Sequence, residues 1–152
     1  MRFSTIDMVK KIARSAIVGH SAAKMYALVE DIDAYPSFLP WCARAEVHER
    51  APGTTKATLT VALAGLRHSF TTLNENRPPE AIDLRLVEGP FRRFAGQWRF
   101  VTLSPEACRI EFALQYEFSS RTLGKLLAPL FDGIADSMVD AFVRRAAEVY
   151  ED

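Results

Sequence analysis

The stretch that decides the fold is residues 123–150, LGKLLAPLFDGIADSMVDAFVRRAAEVY. Its apolar residues recur at steps of three and four, the spacing of one face of an α-helix. They are Leu123, Leu127, Leu130, Phe131, Ile134, Met138, Phe142, Ala146 and Val149. The opposite face is charged and predicted to be solvated, with Asp132, Asp136, Asp140, Arg144 and Glu148. A helix over 129–150 would be about 33 Å long. A stripe this broad must be covered by the rest of the chain.

The chain before this helix is predicted to form mostly strands. A first strand over 10–18 precedes a short helix over 22–30 with Ser21 as its N-cap, and a second short helix runs into Tyr35 and Pro36. After residue 43 apolar and polar residues alternate, which indicates half-buried strands. Six such strands are predicted between residues 43 and 118, and residues 74–79 are predicted to be a loop.

Tight turns between long strands indicate an antiparallel meander with one apolar face. The long helix is the element that can cover that face. A twisted sheet of this length curls, and one helix fills only part of the trough. We therefore predict an α+β fold in a single domain over 1–152, with about seven strands around the C-terminal helix. An apolar pocket is expected between sheet and helix.

The composition argues against several classes of function. Lysine plus arginine and aspartate plus glutamate both total 19, so the formal net charge is zero and DNA is not an expected partner. Cys42 and Cys108 are far apart, and His20, His48 and His68 have no carboxylate or cysteine at metal-ligand spacing. We find no catalytic motif, signal peptide or membrane-spanning segment, and expect a cytoplasmic protein that is not an enzyme.

The densest aromatic cluster is YPSFLPWC, residues 35–42. Its two prolines interrupt regular hydrogen bonding, so large apolar side chains lie on a turn or a broken helix. Such a cluster either closes the end of the core or surrounds the entrance of a pocket. The residues alone favour the core.

Three strings resemble one family. They are VEDIDAYPSFLPWC at 29–42, GPF at 89–91 with GQW at 96–98, and MVDAF at 138–142 followed by Arg145 and Ala146. These strings are similar to the coenzyme Q-binding protein family, which includes bacterial ribosome-association toxin proteins. That family belongs to the START-like (Bet v 1-like, polyketide cyclase/dehydrase) superfamily with its helix-grip fold. Phe94 departs from the leucine usual nearby, which indicates a changed pocket shape.

The resemblance implies a hydrophobic tunnel for a polyprenyl quinone, most simply ubiquinone, as bound ligand and with no other cofactor. The 35–41 segment would form part of the entrance, and Trp41→Ala would weaken lipid binding while leaving the fold largely intact. Strand and helix residues would form the walls. The predicted ligand-binding residues are Tyr35, Phe38, Leu39, Trp41, Leu59, Val61, Phe70, Leu84, Phe91, Trp98, Phe112, Tyr116, Leu130, Ile134 and Met138.

Three functions stay open at this point. The first is a carrier or chaperone for an isoprenoid quinone that supports respiration or quinone biosynthesis, with transient contact between residues 126–131 and the inner membrane. The second is a toxin-like regulator that binds a ribosomal subunit and blocks subunit association. The third is a cyclase or dehydratase, for which Tyr116 and His68 are the polar candidates.

Overall fold

The computed structural model describes residues 9–150. Seven strands and two α-helices follow one another, with a 3₁₀ helix between α1 and β2. The elements are β1 (Lys10–Val18), α1 (Ala22–Glu30), the 3₁₀ helix (Ile32–Ser37), β2 (Cys42–Ala51), β3 (Thr54–Leu63), β4 (Leu66–Arg77), β5 (Ala81–Glu88), β6 (Phe91–Ser104), β7 (Ala107–Phe118) and α2 (Arg121–Val149). The predicted α+β helix-grip fold is confirmed.

The strands form one antiparallel sheet in the order β1-β7-β6-β5-β4-β3-β2. From β2 to β7 each strand pairs with the next one along the chain, and β1 pairs with β7. This is the predicted meander. Alternate residues of the strands face the long helix, so one face of the sheet supplies half of the core.

Helix α2 begins earlier than the predicted start at Pro129. The Ser120 hydroxyl caps it and accepts a hydrogen bond from the Leu123 backbone N–H at 3.1 Å. Pro129 therefore lies inside the helix and not in its first turn. At 29 residues the helix is about 43 Å long. Its buried residues are Leu127, Phe131, Ile134, Ala135, Val139, Ala141, Phe142 and Ala146.

The predicted loop at 74–79 is partly wrong, because β4 continues to Arg77. Glu75 pairs with Thr54 of β3, and Asn76 and Arg77 pair with Ile82 and Ala81 of β5. Neighbours on both sides satisfy the backbone of these polar residues, which outweighs their low strand propensity. The turn is reduced to residues 78–80.

The charged face of α2 is not simply solvated. Asp132 lies 3.8 Å from Lys10 of β1, and Asp136 accepts a hydrogen bond from Arg14 of the same strand. Lys10 and Arg14 lie on an edge strand that runs beside the helix. The pairs are half exposed, so each contributes little stability, about 0–1 kcal/mol. They align the helix with the sheet edge.

The short helices close the opposite part of the trough. Ser21 caps α1 as predicted and accepts a hydrogen bond from the Lys24 backbone N–H at 3.2 Å. Met25 and Val29 of α1 are buried in the core. Within residues 9–150, neither helix combines the length and hydropathy that crossing a bilayer requires.

Candidate functional site

An apolar cavity lies between the concave face of the sheet and helix α2, where the curled sheet was predicted to leave one. Its volume is about 70 Å³. Side chains from five strands, three helices and the segment before β2 line it. They are Val29, Ile32, Tyr35, Trp41, Ala57, Leu59, Phe70, Thr72, Asn74, Ile82, Leu84, Phe94, Trp98, Phe112, Leu114, Phe131, Ile134, Ala135 and Met138.

Nine of the fifteen predicted ligand-binding residues lie in this wall: Tyr35, Trp41, Leu59, Phe70, Leu84, Trp98, Phe112, Ile134 and Met138. Val61, Phe91 and Leu130 instead line a second cavity of about 20 Å³ toward the start of α2. Phe70 and Phe131 line both cavities, and their ring centroids are 6.3 Å apart. These two rings therefore separate the cavities.

Tyr116 does not line either cavity. Its ring is buried against Phe131, at 4.7 Å between centroids, and its hydroxyl donates a hydrogen bond to Asp132. The hydroxyl thus points to a surface groove beside α2 that Lys10 also lines. Burial, together with this hydrogen bond, raises the pKa of the Tyr116 phenol. Tyr116 was expected to point its hydroxyl inward, as a polar group for catalysis. This expectation is wrong, because the hydroxyl points out of the core beside α2.

The aromatic segment after α1 is divided between wall and core. Tyr35 and Trp41 are buried and line the cavity, and the Tyr35 hydroxyl donates to the Val29 carbonyl at 2.5 Å. Leu39 is buried outside the cavity. Phe38 packs edge-on against Phe142 and lies under the Arg145 guanidinium. Phe38 and Leu39 are therefore outside the site that they were predicted to line.

Trp41→Ala is expected to lower stability as well as lipid affinity, because Trp41 is buried and not a free rim residue. Removing a buried tryptophan costs about 3–5 kcal/mol. Urea denaturation of the variant and of the parent measures this loss. If the Trp41→Ala protein were as stable as the parent and bound lipid more weakly, Trp41 would belong to the pocket entrance and would not be needed for the core.

Two polar side chains interrupt the apolar wall, and neither was predicted from the sequence. Thr72 and Asn74 are neighbours on the inner face of β4, and Asn74 is only 6% exposed. The Thr72 hydroxyl donates to Asn74 Oδ1 at 2.9 Å. Nothing among residues 9–150 accepts a hydrogen bond from the Asn74 Nδ2 group. Among the described residues, the fully buried polar side-chain atoms that lack a partner are Glu117 Oε2 and Arg145 Nε, so the Asn74 Nδ2 group keeps accessible surface and can donate to a ligand.

Other wall residues were also missed, although a signal for most of them was present. Thr72 and Asn74 continue the alternation that starts at Phe70, and Ala57 lies two residues before Leu59. The remaining missed residues are Val29, Ile32, Ile82, Phe94, Leu114, Phe131 and Ala135. Phe94, the noted departure from the family pattern, lies in the wall.

Two glycines hold wall residues in place. A Cβ on Gly89 would lie 2.7 Å from the Phe70 Cβ, so only glycine permits this approach of the β5–β6 turn. A Cβ on Gly96 would lie 3.0 Å from Leu114 and 3.1 Å from Leu84. Gly96 therefore leaves room for these two leucines to turn toward the cavity.

Reactive side chains are not concentrated at the cavity. Cys42 and Cys108 are both free and buried. Burial raises the pKa of the Cys42 thiol to about 11 and also raises that of Cys108, so both are protonated at neutral pH. His68 lines the smaller cavity, away from the Tyr116 hydroxyl. No three metal-binding side chains come together in the part of the chain that the structure describes.

Comparison with known families matches residues 18–143 to the family described as "Polyketide cyclase / dehydrase and lipid transport". The chain belongs to this family. The START-like resemblance seen in the sequence is confirmed by this match.

Two curated relatives carry different names. Ribosome association toxin RatA of Escherichia coli (strain K12) is 42% identical over 143 residues, which are 94% of this chain and 90% of that protein. Coenzyme Q-binding protein COQ10 homolog B, mitochondrial, of Xenopus laevis is 28% identical over 142 residues, which are 91% of this chain and 58% of that protein. Both names belong to the group that the sequence strings resemble.

A solved structure supports the fold assignment. A START superfamily protein from Mycobacterium smegmatis superposes with a TM-score of 0.77 and covers 91% of this chain and 98% of its own. Its sequence is 22% identical to this chain, so the similarity supports only the fold assignment.

Proposed function

We propose that this protein binds a lipid with an apolar tail and an oxygen-bearing head, and that an isoprenoid quinone such as ubiquinone is its preferred ligand. The observation that carries this proposal is the Asn74 amide in the wall of a mainly apolar cavity. The amide provides an N–H donor, and a quinone carbonyl provides the matching acceptor. The Thr72 hydroxyl donates to Asn74 Oδ1, so the Nδ2 side of the amide remains available as the donor.

The apolar wall suits a prenyl tail, because burial stabilises each CH₂ by about 0.8 kcal/mol. The cavity of about 70 Å³ is smaller than typical ligand pockets of about 300 Å³ or more. Binding therefore requires side chains to move. Leu59, Phe70, Leu84 and Met138 are the half-buried members of the wall. Met138 is flexible and polarizable, which suits a wall that must adapt.

Binding and transport, and not covalent catalysis, is the activity that we propose. The buried thiols are protonated, and the Tyr116 hydroxyl is directed toward Asp132 and away from the cavity. The family also contains cyclases and dehydratases. Absence of turnover of an aromatic polyketide by the purified protein would remove the enzymatic alternative, whereas a turnover lost on exchanging both Tyr116 and His68 would support it.

Native mass spectrometry of the purified protein, with lipid extraction of the bound fraction, tests the proposal directly. A stoichiometric quinone is the expected result and would identify the ligand. A mass without ligand, repeated after adding ubiquinone in detergent, would contradict quinone binding.

Asn74→Leu is expected to weaken binding of a short-tailed ubiquinone by about 2- to 10-fold, the range of one neutral hydrogen bond. Leucine keeps approximately the shape of asparagine and removes its donor. Fluorescence titration with decylubiquinone measures the loss. Decylbenzene, which has a similar tail and no carbonyl, should bind parent and variant equally.

Asn76→Leu is the matched control for Asn74→Leu. Asn76 lies two residues further along the same strand, donates to the Thr55 hydroxyl at 3.0 Å and is not in the cavity wall. Its substitution should leave decylubiquinone affinity unchanged. Equal losses in the two variants, or an equal loss for decylbenzene, would count against Asn74 as the head-group donor.

Ribosome association is a second candidate, favoured by the 42% identity to the E. coli protein that bears that name. It predicts that the purified protein co-sediments with one ribosomal subunit and lowers the fraction of joined ribosomes. Sucrose-gradient sedimentation of purified subunits with added protein measures both. Free protein at the top of the gradient, with subunit joining unchanged, would exclude this activity.

A further inference from the structure

Two segments meet at one end of the site, around the second cavity. One is the β3–β4 hairpin, residues 61–68, and the other is the beginning of α2, residues 121–130. Leu66 and Arg67 of the hairpin and Leu127 and Leu130 of the helix line this cavity together. The Phe70 and Phe131 rings line both this cavity and the larger one. We call this end of the molecule the leucine tip.

Large apolar side chains are exposed at the leucine tip. Leu63, at the hairpin turn, is 44% exposed, and Leu126 of α2 is 52% exposed. Leu66 and Leu130 are only half-buried behind them. Exposed leucines on two neighbouring segments form an apolar surface that core packing does not require.

The charged residues of the two tip segments have one sign. Residues 58–74 and 118–131 contain no aspartate or glutamate. They carry Arg67, Arg121 and Lys125, all exposed. No carboxylate within residues 9–150 lies at ion-pair distance from any of these three. The protein is neutral in total, so this end is positive because its charges are unevenly distributed.

Exposed leucines surrounded by unpaired cations match the surface of an anionic bilayer. Leucine side chains gain free energy by entering the boundary between head groups and acyl chains, while lysine and arginine contact phosphates. A nucleic acid surface would use the cations and would leave the leucines exposed to water. The geometry therefore favours a membrane over ribosomal RNA as the partner of this surface.

We propose that the leucine tip docks on membranes that contain anionic phospholipids, and that lipid passes between bilayer and cavity at this end. This inference rests on the proposed lipid-binding function, because it provides the route to the same cavity. The helical half of the tip, residues 121–130, includes most of residues 126–131, which the sequence suggested as a membrane contact. The hairpin half, with Leu63 and Arg67, was not predicted.

Vesicle co-sedimentation tests the docking surface. Vesicles of phosphatidylcholine mixed with phosphatidylglycerol should bind the parent protein, and vesicles of phosphatidylcholine alone should bind it weakly. The double variant Leu63→Ser/Leu126→Ser and the double variant Arg121→Glu/Lys125→Glu should each lose at least about tenfold in partitioning to the anionic vesicles. All four positions are exposed, so thermal unfolding should be unchanged.

Matched controls lie elsewhere on the surface. Leu103 is 46% exposed at the far end of β6, and Arg99 is exposed on the outer face of the same strand. Leu103→Ser and Arg99→Glu should leave vesicle binding unchanged. Equal losses in controls and tip variants would overturn the proposal. It would also be overturned if the charge variant released the protein from ribosomal subunits while the leucine variant bound vesicles as the parent does.

Failure of docking and failure of lipid binding are separable. Titration with decylubiquinone in detergent needs no bilayer, so the tip variants should bind the quinone as the parent does. Quinone binding without vesicle binding would overturn the docking surface alone. Vesicle binding without quinone binding would contradict the proposed ligand and the route to the cavity, and would overturn this inference as well.

Discussion

Phe142→Ala is expected to lower the free energy of unfolding by about 3–5 kcal/mol, the usual cost of removing a fully buried phenylalanine. Phe142 of α2 is 0% exposed. Its ring centroid lies 5.5 Å from that of Tyr35, 5.3 Å from Phe38 and 5.3 Å from Trp98. The Phe142 side chain therefore connects α2 to the 3₁₀ helix, to the residue that follows this helix and to the sheet. Urea denaturation followed by tryptophan fluorescence and far-UV circular dichroism measures the loss.

Val149→Ala is the control for this effect. Val149 lies on the same helix and is 45% exposed, so its truncation should change stability by no more than about 0.5 kcal/mol. If Phe142→Ala and Val149→Ala unfold at the same urea concentration, the aromatic cluster around Phe142 does not connect helix and sheet as described.

Ala135→Leu is expected to reduce quinone affinity at least about tenfold, because the larger side chain displaces ligand CH₂ groups that are each worth about 0.8 kcal/mol. Ala135 is buried on α2 and lines the larger cavity. A leucine at this position also occupies the space between the cavity walls into which the ligand must insert. Titration with decylubiquinone measures the affinity, and thermal unfolding reports the stability of the same samples.

Ala141→Leu is the control that distinguishes the effect of a blocked cavity from the effect of a strained helix. Ala141 is buried on the same helix and is not in the cavity wall. Overpacking there costs about 1–3 kcal/mol of stability. It should leave the ligand affinity of the folded protein unchanged. Parent-like affinity in Ala135→Leu would place the ligand elsewhere.

The local predictions that succeeded depend on short-range periodicity and capping. The bounds of β1 and α1, and the Ser21 cap, agree with the sequence interpretation, because alternation and cap chemistry act over a few residues. The predictions that failed depend on distant partners. β4 passes through polar residues up to Arg77 because β3 and β5 bond it on both sides. Pro129 is tolerated inside a helix whose buried face packs on the core.

The residues of the site were predictable to about the same extent as the elements of the fold. Period two indicated which strand residues face inward, and most wall residues of the larger cavity follow from it. Periodicity does not say how far along a strand the cavity extends, so Val61 and Phe91 were assigned to the same cavity as Leu59 and Trp98. The alternation pattern also identifies only apolar residues as inward-facing. The polar Asn74 was therefore assigned to the predicted loop.

By itself the sequence determined the class of the fold, the order of its elements and the presence of a trough that one helix cannot fill. These properties follow from the spacing of apolar residues and from turn and cap chemistry, all of which are local. Only the tertiary structure decided that Phe70 and Phe131 divide the space in two, that Tyr116 turns outward to Asp132, and that Leu63 and Leu126 share one end of the molecule. These arrangements join residues from about 16 to more than 60 positions apart, and packing and register across the sheet bring such residues together.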